Sequence, residues 1–326
     1  MSSWIGRRWT VSSCVDAEFV EPSVLLLMGP TATGKTDLAL ELCERIDGEI
    51  VSADSALVYR GMDIGTAKPG AAEQSRVRHH LIDVRDPEES WSAMDFVIHA
   101  KRLIDDIHAR GRTPLLVGGT MLYFQALLRG LDVMPAVDPA VRASLRERLP
   151  REGAEALHAE LMGVDPVSAR RIHPNDPQRT LRALEVYRST GLPLSSLQSG
   201  SKASIPAGWR CVALWPEDRG RLRQRIARRF DAMLEAGFEA ELRRLMDRPG
   251  LTSGHASQRA VGYRQGWEWL SGQVTREQFR ERALTATRQL AKRQITWLRG
   301  MEDIVCLPAE RATSGRLFEI LGSKTT

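Results

Sequence analysis

The chain has 326 residues, a net charge of +5, and hydrophobic and charged fractions of 42% and 27%, which are typical of a soluble globular protein. Its four cysteines are far apart and form no C-x-x-C pair, which argues against a disulfide framework or a zinc site. This cysteine pattern favours a reduced cytoplasmic setting. No apolar run approaches the ~18 residues of a membrane span, so we expect no membrane partner.

The first 23 residues are predicted to form a disordered extension. They are polar and mixed in character, and they lack the apolar segment of a secretory signal. The first apolar strand pattern begins directly after them.

The next hundred residues alternate strand patterns with helical patterns. Strands are predicted at Val24–Met28, Glu49–Ser52, His80–Val84 and Pro114–Val117. Helices are predicted at Lys35–Ile46, Ser92–Arg110 and Met121–Arg129. This alternation indicates an α/β fold with a parallel sheet, in which ligands bind beyond the carboxyl ends of the strands.

The loop after the first strand fits the P-loop pattern G-x-x-x-x-G-K-[ST] in full. Its residues are Gly29, Pro30, Thr31, Ala32, Thr33, Gly34, Lys35 and Thr36. The backbone N–H groups of such a loop and the start of the following helix favour an anion. Lys35 supplies a positive charge and Thr36 a hydroxyl for Mg²⁺. The loop therefore predicts a bound polyphosphate, but it does not identify the group that is transferred.

Two more polar segments follow predicted strand ends. Asp54 follows the second strand, where its carboxylate could bind Mg²⁺ through water, accept a proton from a nucleophile, or simply close a turn. The segment Gly118-Gly119-Thr120 follows the fourth strand, where the glycines permit close approach of a ligand and Thr120 can cap the next helix or offer its hydroxyl. All three loops are expected at one edge of the sheet.

Residues 131–204 are predicted to be a helical insertion, because strand patterns stop and apolar residues recur at helical spacing. Its helices are predicted at Val141–Leu149, Ala154–Leu161 and Arg179–Tyr187. A strand at Trp209–Trp215 then returns to the sheet, so residues 24–130 and 205–326 form the core domain. Further elements are predicted at Arg219–Ala236, Glu239–Met246, Arg259–Leu270 and Thr275–Leu298, all helical, and at Ile304–Leu307, a strand.

Two basic segments have both a functional and a structural interpretation. Arg225 and Arg229 are four residues apart on a predicted helix, so they share a face and could clamp a diphosphate, although a charge run is also typical of a solvated face. The helix that ends near Arg299 interleaves cations with a tryptophan, which suits RNA, although its apolar stripe could equally be core.

Six segments between about Val24 and Arg299 resemble the tRNA dimethylallyltransferase family, also called isopentenyltransferases, in its bacterial form. They read G-P-T-A-T-G-K-T, S-A-D-S-A-L-V-Y-R-G-M-D-I-G-T-A-K-P, L-L-V-G-G-T-M-L-Y-F, I-H-P-N-D-P-Q-R, V-G-Y-R-Q and R-Q-L-A-K-R-Q-I-T-W-L-R. The resemblance implies a P-loop NTPase-like sheet and transfer of a dimethylallyl group from dimethylallyl diphosphate. The acceptor is the exocyclic amine of the adenosine that follows the anticodon of a tRNA.

The resemblance also implies roles for individual residues. Asp54 matches the general base, Thr120 a residue that contacts the substrate nucleotide, and Lys35 and Arg229 diphosphate-binding residues, with Mg²⁺ at Thr36 as the cofactor. The protein is expected to be a monomer. The residues that match tRNA contacts are Asp54, Ser55, Ala56, Leu57, Thr120, Arg142, Gln178, Arg179, Thr180, Leu181, Arg182, Arg259, Ala260, Val261, Gly262, Tyr263, Arg264, Lys292, Arg293, Gln294, Ile295, Thr296, Trp297, Leu298 and Arg299.

Two other functions fit the P-loop. A small-molecule kinase that binds ATP is one, but its expected arginine-bearing lid is not evident and the basic helices exceed the needs of a small substrate. A non-catalytic RNA-binding protein is the other, and the intact set of Lys35, Thr36, Asp54 and Arg229 argues against it.

Overall fold

A single parallel sheet forms the centre of the protein. The computed structural model describes residues 23–132, 134–198 and 205–322, so the predicted extension lies outside the described residues except for Ser23. Strands in this part of the chain are β1 (Val24–Met28), β2 (Gly48–Ser52), β3 (His79–His80), β4 (Thr113–Gly118), β5 (Trp209–Trp215) and β6 (Val305–Pro308). Their order is β3-β2-β4-β1-β5-β6, and all neighbours run parallel, as the sequence predicts.

Helices flank this sheet and build the rest of the described chain. They are α1 (Lys35–Ile46), α2 (Ala71–Arg76), α3 (Ala93–Ala109), α4 (Met121–Arg129), α5 (Pro139–Val164), α6 (Pro166–Arg171), α7 (Pro177–Thr190), α8 (Arg219–Glu235), α9 (Phe238–Met246), α10 (Tyr263–Leu270), α11 (Arg276–Arg299) and α12 (Ser314–Gly322). Short 3₁₀ segments lie at Leu194–Leu197, Ser257–Arg259 and Ala309–Arg311. Among the described helices, none combines the length and the apolar character that crossing a membrane would require.

The helix boundaries follow from local chemistry. Ser92 precedes α3 and its hydroxyl accepts a hydrogen bond from the backbone N–H of Asp95 at 3.1 Å. Thr275 caps α11 in the same way through Gln278, at 3.2 Å. Each cap satisfies an N–H group that has no partner within its helix, and such a cap typically stabilises a protein by about 1 kcal/mol.

The core of the sheet is made by apolar residues that face α1 and its neighbours. All five residues of β1 are buried, and β1 pairs with β4 on one side and β5 on the other. Leu38 and Leu42 of α1 pack in the same cluster as Leu25 and Leu115. Burial of each such leucine favours folding by about 1.5–3 kcal/mol, so the strand that precedes the P-loop is held firmly.

The residues cluster into two compact units, 1–128 with 205–326 and 129–204. In the second unit, α5, α6 and α7 enclose a small apolar cluster that includes Leu145, Leu157, Leu161 and Leu184. No strand occurs among the described residues of this unit.

Some predicted elements differ from the structure. The third strand was expected at His80–Val84, but it ends at His80 because Leu81 and Asp83 adopt positive φ values of 60° and 55°. The predicted helix Arg259–Leu270 is wrong in its first four residues, since Gly262 has a φ of 92° and α10 begins only at Tyr263.

The two helices predicted inside residues 141–161 correspond to two segments of α5. Gly153 interrupts this helix with non-helical backbone angles, φ 84° and ψ 164°, close after Pro150. Glycine tolerates a positive φ and proline cannot continue an α-helix hydrogen-bond pattern, which explains the break.

Candidate active site

Three loops meet at the carboxyl ends of β1, β2 and β4. A side-chain carbon at Gly118 would lie 2.1 Å from the carbonyl oxygen of Ala53, so only glycine permits this approach of β4 to the β2 loop. Thr120 then donates its backbone N–H to Ala53 at 3.2 Å. Its hydroxyl accepts a hydrogen bond from the backbone N–H of Ser55 at 3.1 Å. Thr120 thus holds the loop that carries Asp54.

The P-loop has the tight backbone that its sequence predicts. Ala32 and Gly34 have φ values of 63° and 85°. The Thr33 hydroxyl donates to the carbonyl oxygen of Pro30 at 2.8 Å, and the Lys35 ammonium donates to the same oxygen at 2.7 Å. Lys35 is therefore folded over its own loop, where it faces the space in which an anion would bind.

Lys35 lies in a strongly cationic environment. Burial, together with the charges of Arg229 and Arg225, lowers the pKa of its ammonium from 10.5 to about 7, while the Asp54 carboxylate opposes this shift. Three cations around one small volume repel each other, and an anion placed between them would relieve that repulsion.

Arg229 is the best placed of the α8 arginines. It is half-buried, and its two terminal nitrogens lie 3.3 Å from Thr31 Oγ1 and 3.2 Å from the carbonyl oxygen of Thr66. Burial also lowers its pKa. Arg225 reaches the same loop, because a side-chain carbon at Gly34 would lie 3.2 Å from its guanidinium. These positions favour the clamp over a purely solvated face for these two residues.

One cavity of about 200 Å³ is lined by three of the four predicted catalytic residues, Lys35, Asp54 and Arg229, whereas Thr120 is not part of its wall. Its wall includes Lys35, Thr36, Asp54 and Arg229, and Gly119 lines it as well. Asp54 is half-buried, and its carboxylate accepts a hydrogen bond from the backbone N–H of Ala56 at 2.8 Å. A carboxylate therefore faces the same space as the cations of the P-loop and α8.

Gln294 joins two of the three loops. Its side-chain oxygen accepts a hydrogen bond from Thr31 N at 2.9 Å, and its side-chain nitrogen donates to Gly119 O at 2.8 Å. Gln294 is 8% exposed and lines the cavity. Its two hydrogen bonds indicate that it positions the P-loop, a role that the sequence did not indicate.

Replacing Gln294 with methionine should weaken binding of inorganic diphosphate by about tenfold and lower the melting temperature. The change leaves a buried donor and a buried acceptor unpaired, at a cost of about 1–3 kcal/mol for each group. Calorimetry and thermal unfolding measure the two effects. The matched control is Gln289→Met on the exposed face of the same helix. Equal diphosphate affinity in both variants would contradict the positioning role.

The remaining predicted tRNA contacts include both buried and exposed residues. The side chains of Thr180, Tyr263, Ile295 and Leu298 are at most 7% exposed, because they belong to the apolar faces of α7, α10 and α11. These four side chains face the protein interior, and Gly262 is buried as well. Exposed residues of the predicted set are Ser55, Arg142, Gln178, Arg179, Arg259, Arg264, Lys292, Arg293, Thr296 and Arg299.

Glu241, a buried carboxylate that the sequence did not single out, fixes a loop next to the site. Glu241 is 1% exposed and accepts hydrogen bonds from the backbone N–H groups of residues 63–65 at 2.7–3.1 Å. It also accepts one from the Tyr263 hydroxyl at 2.6 Å, and burial raises the pKa of that tyrosine. The fixed loop includes Thr66, whose carbonyl oxygen contacts Arg229.

Comparison with known proteins shows which proteins this chain is similar to. The family model described as IPP transferase matches residues 57–301. A tRNA dimethylallyltransferase of Bordetella avium is 52% identical over 304 residues, which cover 92% of this chain and 97% of that protein. The tRNA isopentenylpyrophosphate transferase structure from Bacillus halodurans has a TM-score of 0.67 and 38% identity, covering 91% of this chain and 94% of that one. A structure of a eukaryotic dimethylallyltransferase acting on tRNA has a TM-score of 0.73 and 28% identity, and the match covers 90% of this chain and 77% of that one.

Proposed function

The chain belongs to the IPP transferase family, and we propose that it transfers a dimethylallyl group from dimethylallyl diphosphate to tRNA. The acceptor is the exocyclic amine of the adenosine adjacent to the 3′ side of the anticodon, and diphosphate is released. One observation supports this chemistry most: the Asp54 carboxylate, Lys35 and Arg229 all line a single cavity. Asp54 can then accept a proton while Lys35 and Arg229 hold the leaving anion of the same reaction.

Asp54 acts on the adenine amine, whereas Lys35 and Arg229 act on the departing diphosphate. The bond between C1 of the prenyl group and the diphosphate oxygen breaks, and the oxygen keeps the electron pair. A bond forms between C1 and the adenine nitrogen, which loses a proton to Asp54. Because an aromatic amine is a weak nucleophile, much of the help must come from Lys35 and Arg229, which stabilise the charge that grows on the diphosphate.

Mg²⁺ is the proposed cofactor. Mg²⁺ prefers oxygen ligands, and it is usually held by one or two protein groups together with substrate phosphates and water. The Thr36 hydroxyl lines the cavity and fits this donor set. When bound, the ion would neutralise part of the charge on the diphosphate.

The proposed partner is the anticodon stem-loop of a tRNA. A base stacked in such a loop cannot reach the Asp54 carboxylate inside the cavity, so the adenosine must be extruded into the cavity. The exposed cations Arg259, Arg264, Lys292, Arg293 and Arg299 are suited to the surrounding phosphates. We further propose a monomer that acts in the cytoplasm, where tRNA is modified.

The function is tested by incubating the protein with Mg²⁺, dimethylallyl diphosphate labelled in the prenyl group, and a synthetic anticodon stem-loop. Label should enter the RNA, and a stem-loop with guanosine at the acceptor position should remain unlabelled. Parallel reactions with γ-labelled ATP and a panel of small alcohols test the kinase alternative, which family membership does not favour. Absence of label from the RNA would contradict the proposal.

Donor binding should also take up a proton. Lys35 has a pKa of about 7 in the free enzyme, so at pH 8 it is mostly neutral, whereas a bound diphosphate favours its charged form. We expect uptake of about one proton per donor bound at pH 8, and affinity that falls as the pH rises above 7. Calorimetry in buffers of different ionisation enthalpy measures the uptake.

The control for this prediction is Lys35→Arg, whose side chain remains charged throughout this pH range. Its donor binding should show no proton uptake. Proton release by the wild-type enzyme, or equal uptake by both proteins, would contradict the prediction.

A further inference from the structure

The floor of the active-site cavity contains two unpaired polar atoms. Ser52 Oγ and His79 Nε2 are buried and find no hydrogen-bond partner among the described residues. Both residues line the cavity, together with the apolar side chains of Ala39, Ile50 and Val117. Leaving a buried polar group unpaired costs about 1–3 kcal/mol, so two such atoms in one apolar floor indicate a polar ligand atom between them.

The sheet places these two atoms on the same face. His79 pairs in register with Ile50, and Ser52 follows Ile50 by two residues on β2. Side chains alternate along a strand, so all three point toward the cavity. Strand spacing and rise put the Cα atoms of Ser52 and His79 about 8 Å apart, which leaves room for one hydroxyl group between their side chains.

His79 and Ser52 offer complementary hydrogen-bonding groups, because of where the His79 ring carries its proton. Its Nδ1 lies 2.7 Å from the carbonyl oxygen of Val77, so Nδ1 carries the proton and donates it. Burial lowers the pKa of His79, which favours the neutral ring. The free Nε2 is therefore an acceptor, while the Ser52 hydroxyl can donate.

The floor lies where the far end of a prenyl chain would reach. Ala39 is one turn of α1 beyond Lys35 and Thr36, a distance of about 5.4 Å from the phosphate-binding end. Asp54 follows Ser52 by two residues, so the two positions are about 6.6 Å apart along the chain. The five bonds that lead from the diphosphate oxygen through the four-carbon chain to a terminal hydroxyl, each of about 1.5 Å, span about 6 Å when extended.

We propose that Ser52 and His79 form a hydroxyl-binding subsite, and that the enzyme also accepts a prenyl diphosphate with a hydroxyl on its terminal carbon. This inference rests on the proposed function, and it concerns the donor of the same reaction. The terminal hydroxyl accepts a hydrogen bond from Ser52 and donates one to His79. The transfer step is unchanged: the C1–O bond breaks, the C1–N bond forms, and the distal hydroxyl takes no part.

The test compares two donors with the same anticodon stem-loop. They are dimethylallyl diphosphate and (E)-4-hydroxy-3-methylbut-2-enyl diphosphate, and kcat/KM is measured for each with the wild-type enzyme and with Ser52→Ala. Wild-type values should lie within about tenfold of each other. Loss of the serine hydroxyl should shift the ratio about tenfold toward dimethylallyl diphosphate, as expected for one buried hydrogen bond of about 1.4 kcal/mol.

Two controls separate the explanations. Ser75→Ala, on the exposed surface of α2, should keep the wild-type ratio. His79→Phe, which keeps the ring but lacks Nε2, should shift the ratio in the same direction as Ser52→Ala. A wild-type enzyme that transfers dimethylallyl but rejects the hydroxylated donor more than a hundredfold would overturn the inference, as would an unchanged ratio in Ser52→Ala. Failure to transfer from either donor would instead overturn the proposed function.

Discussion

Replacing Asp54 with asparagine should lower kcat by about 10²–10⁴, the usual contribution of a general base. Asparagine keeps the shape of the side chain and an oxygen that can accept the hydrogen bond from Ala56 N, now 2.8 Å from the carboxylate. The loop should therefore remain in place while the proton acceptor is lost. Single-turnover transfer to the anticodon stem-loop, with both substrates saturating, measures the effect.

Binding experiments separate this catalytic role from a structural one. The affinity of Asp54→Asn for the stem-loop should remain nearly that of the wild type, because exposed cations such as Lys292 and Arg293 supply most of the attraction to RNA phosphates. A loss of RNA affinity that parallels the loss of turnover would count against Asp54 as the base.

Replacing Arg229 with alanine should reduce kcat/KM for the prenyl donor by about 10²–10³. Loss of one donor aimed at developing negative charge typically has this effect, and Arg229 lies within 3.3 Å of Thr31 in the P-loop. Arg229→Lys should recover only part of the activity, because an ammonium cannot reach both Thr31 and Thr66 as the guanidinium does.

The matched control for Arg229 is Arg223→Ala, an exposed arginine on the same helix. It removes an equal charge at a position that faces solvent, so donor kinetics should change little. Equal losses in the two variants would mean that Arg229 acts through the general positive field of α8 and makes no specific contact with diphosphate.

The sequence predicted those parts of the site that local patterns determine. The P-loop and Val24–Met28 were found because a strong glycine and lysine pattern follows a buried apolar strand. The helix that begins at Lys35 and the strand Trp209–Trp215 also have the predicted bounds. In each case apolar periodicity and the turn residues indicate the same element.

The parts that escaped prediction depend on contacts between distant segments. Gln294 lies in a basic amphipathic helix. Its hydrogen bonds reach Thr31 and Gly119, which precede it by 263 and 175 positions in the sequence. Glu241 bonds to a loop about 177 residues earlier in the chain. No local pattern distinguishes a buried glutamine or glutamate from an exposed one, so only the folded structure could show what these side chains position.

The strand order has a consequence for how the enzyme is made. The P-loop follows β1, yet β1 pairs only with β4 and β5 in the described sheet, and both of these strands are synthesised later. β2 leaves the ribosome next, but it pairs with β3 and β4 and does not touch β1 in the sheet. A nascent chain shorter than about 118 residues thus carries the phosphate-binding sequence without the neighbours that fix it. Because Arg229 and Gln294 contact the P-loop from helices still later in the chain, the site is complete only after most of the chain has been synthesised, and until β4 is made β1 is an unpaired apolar segment.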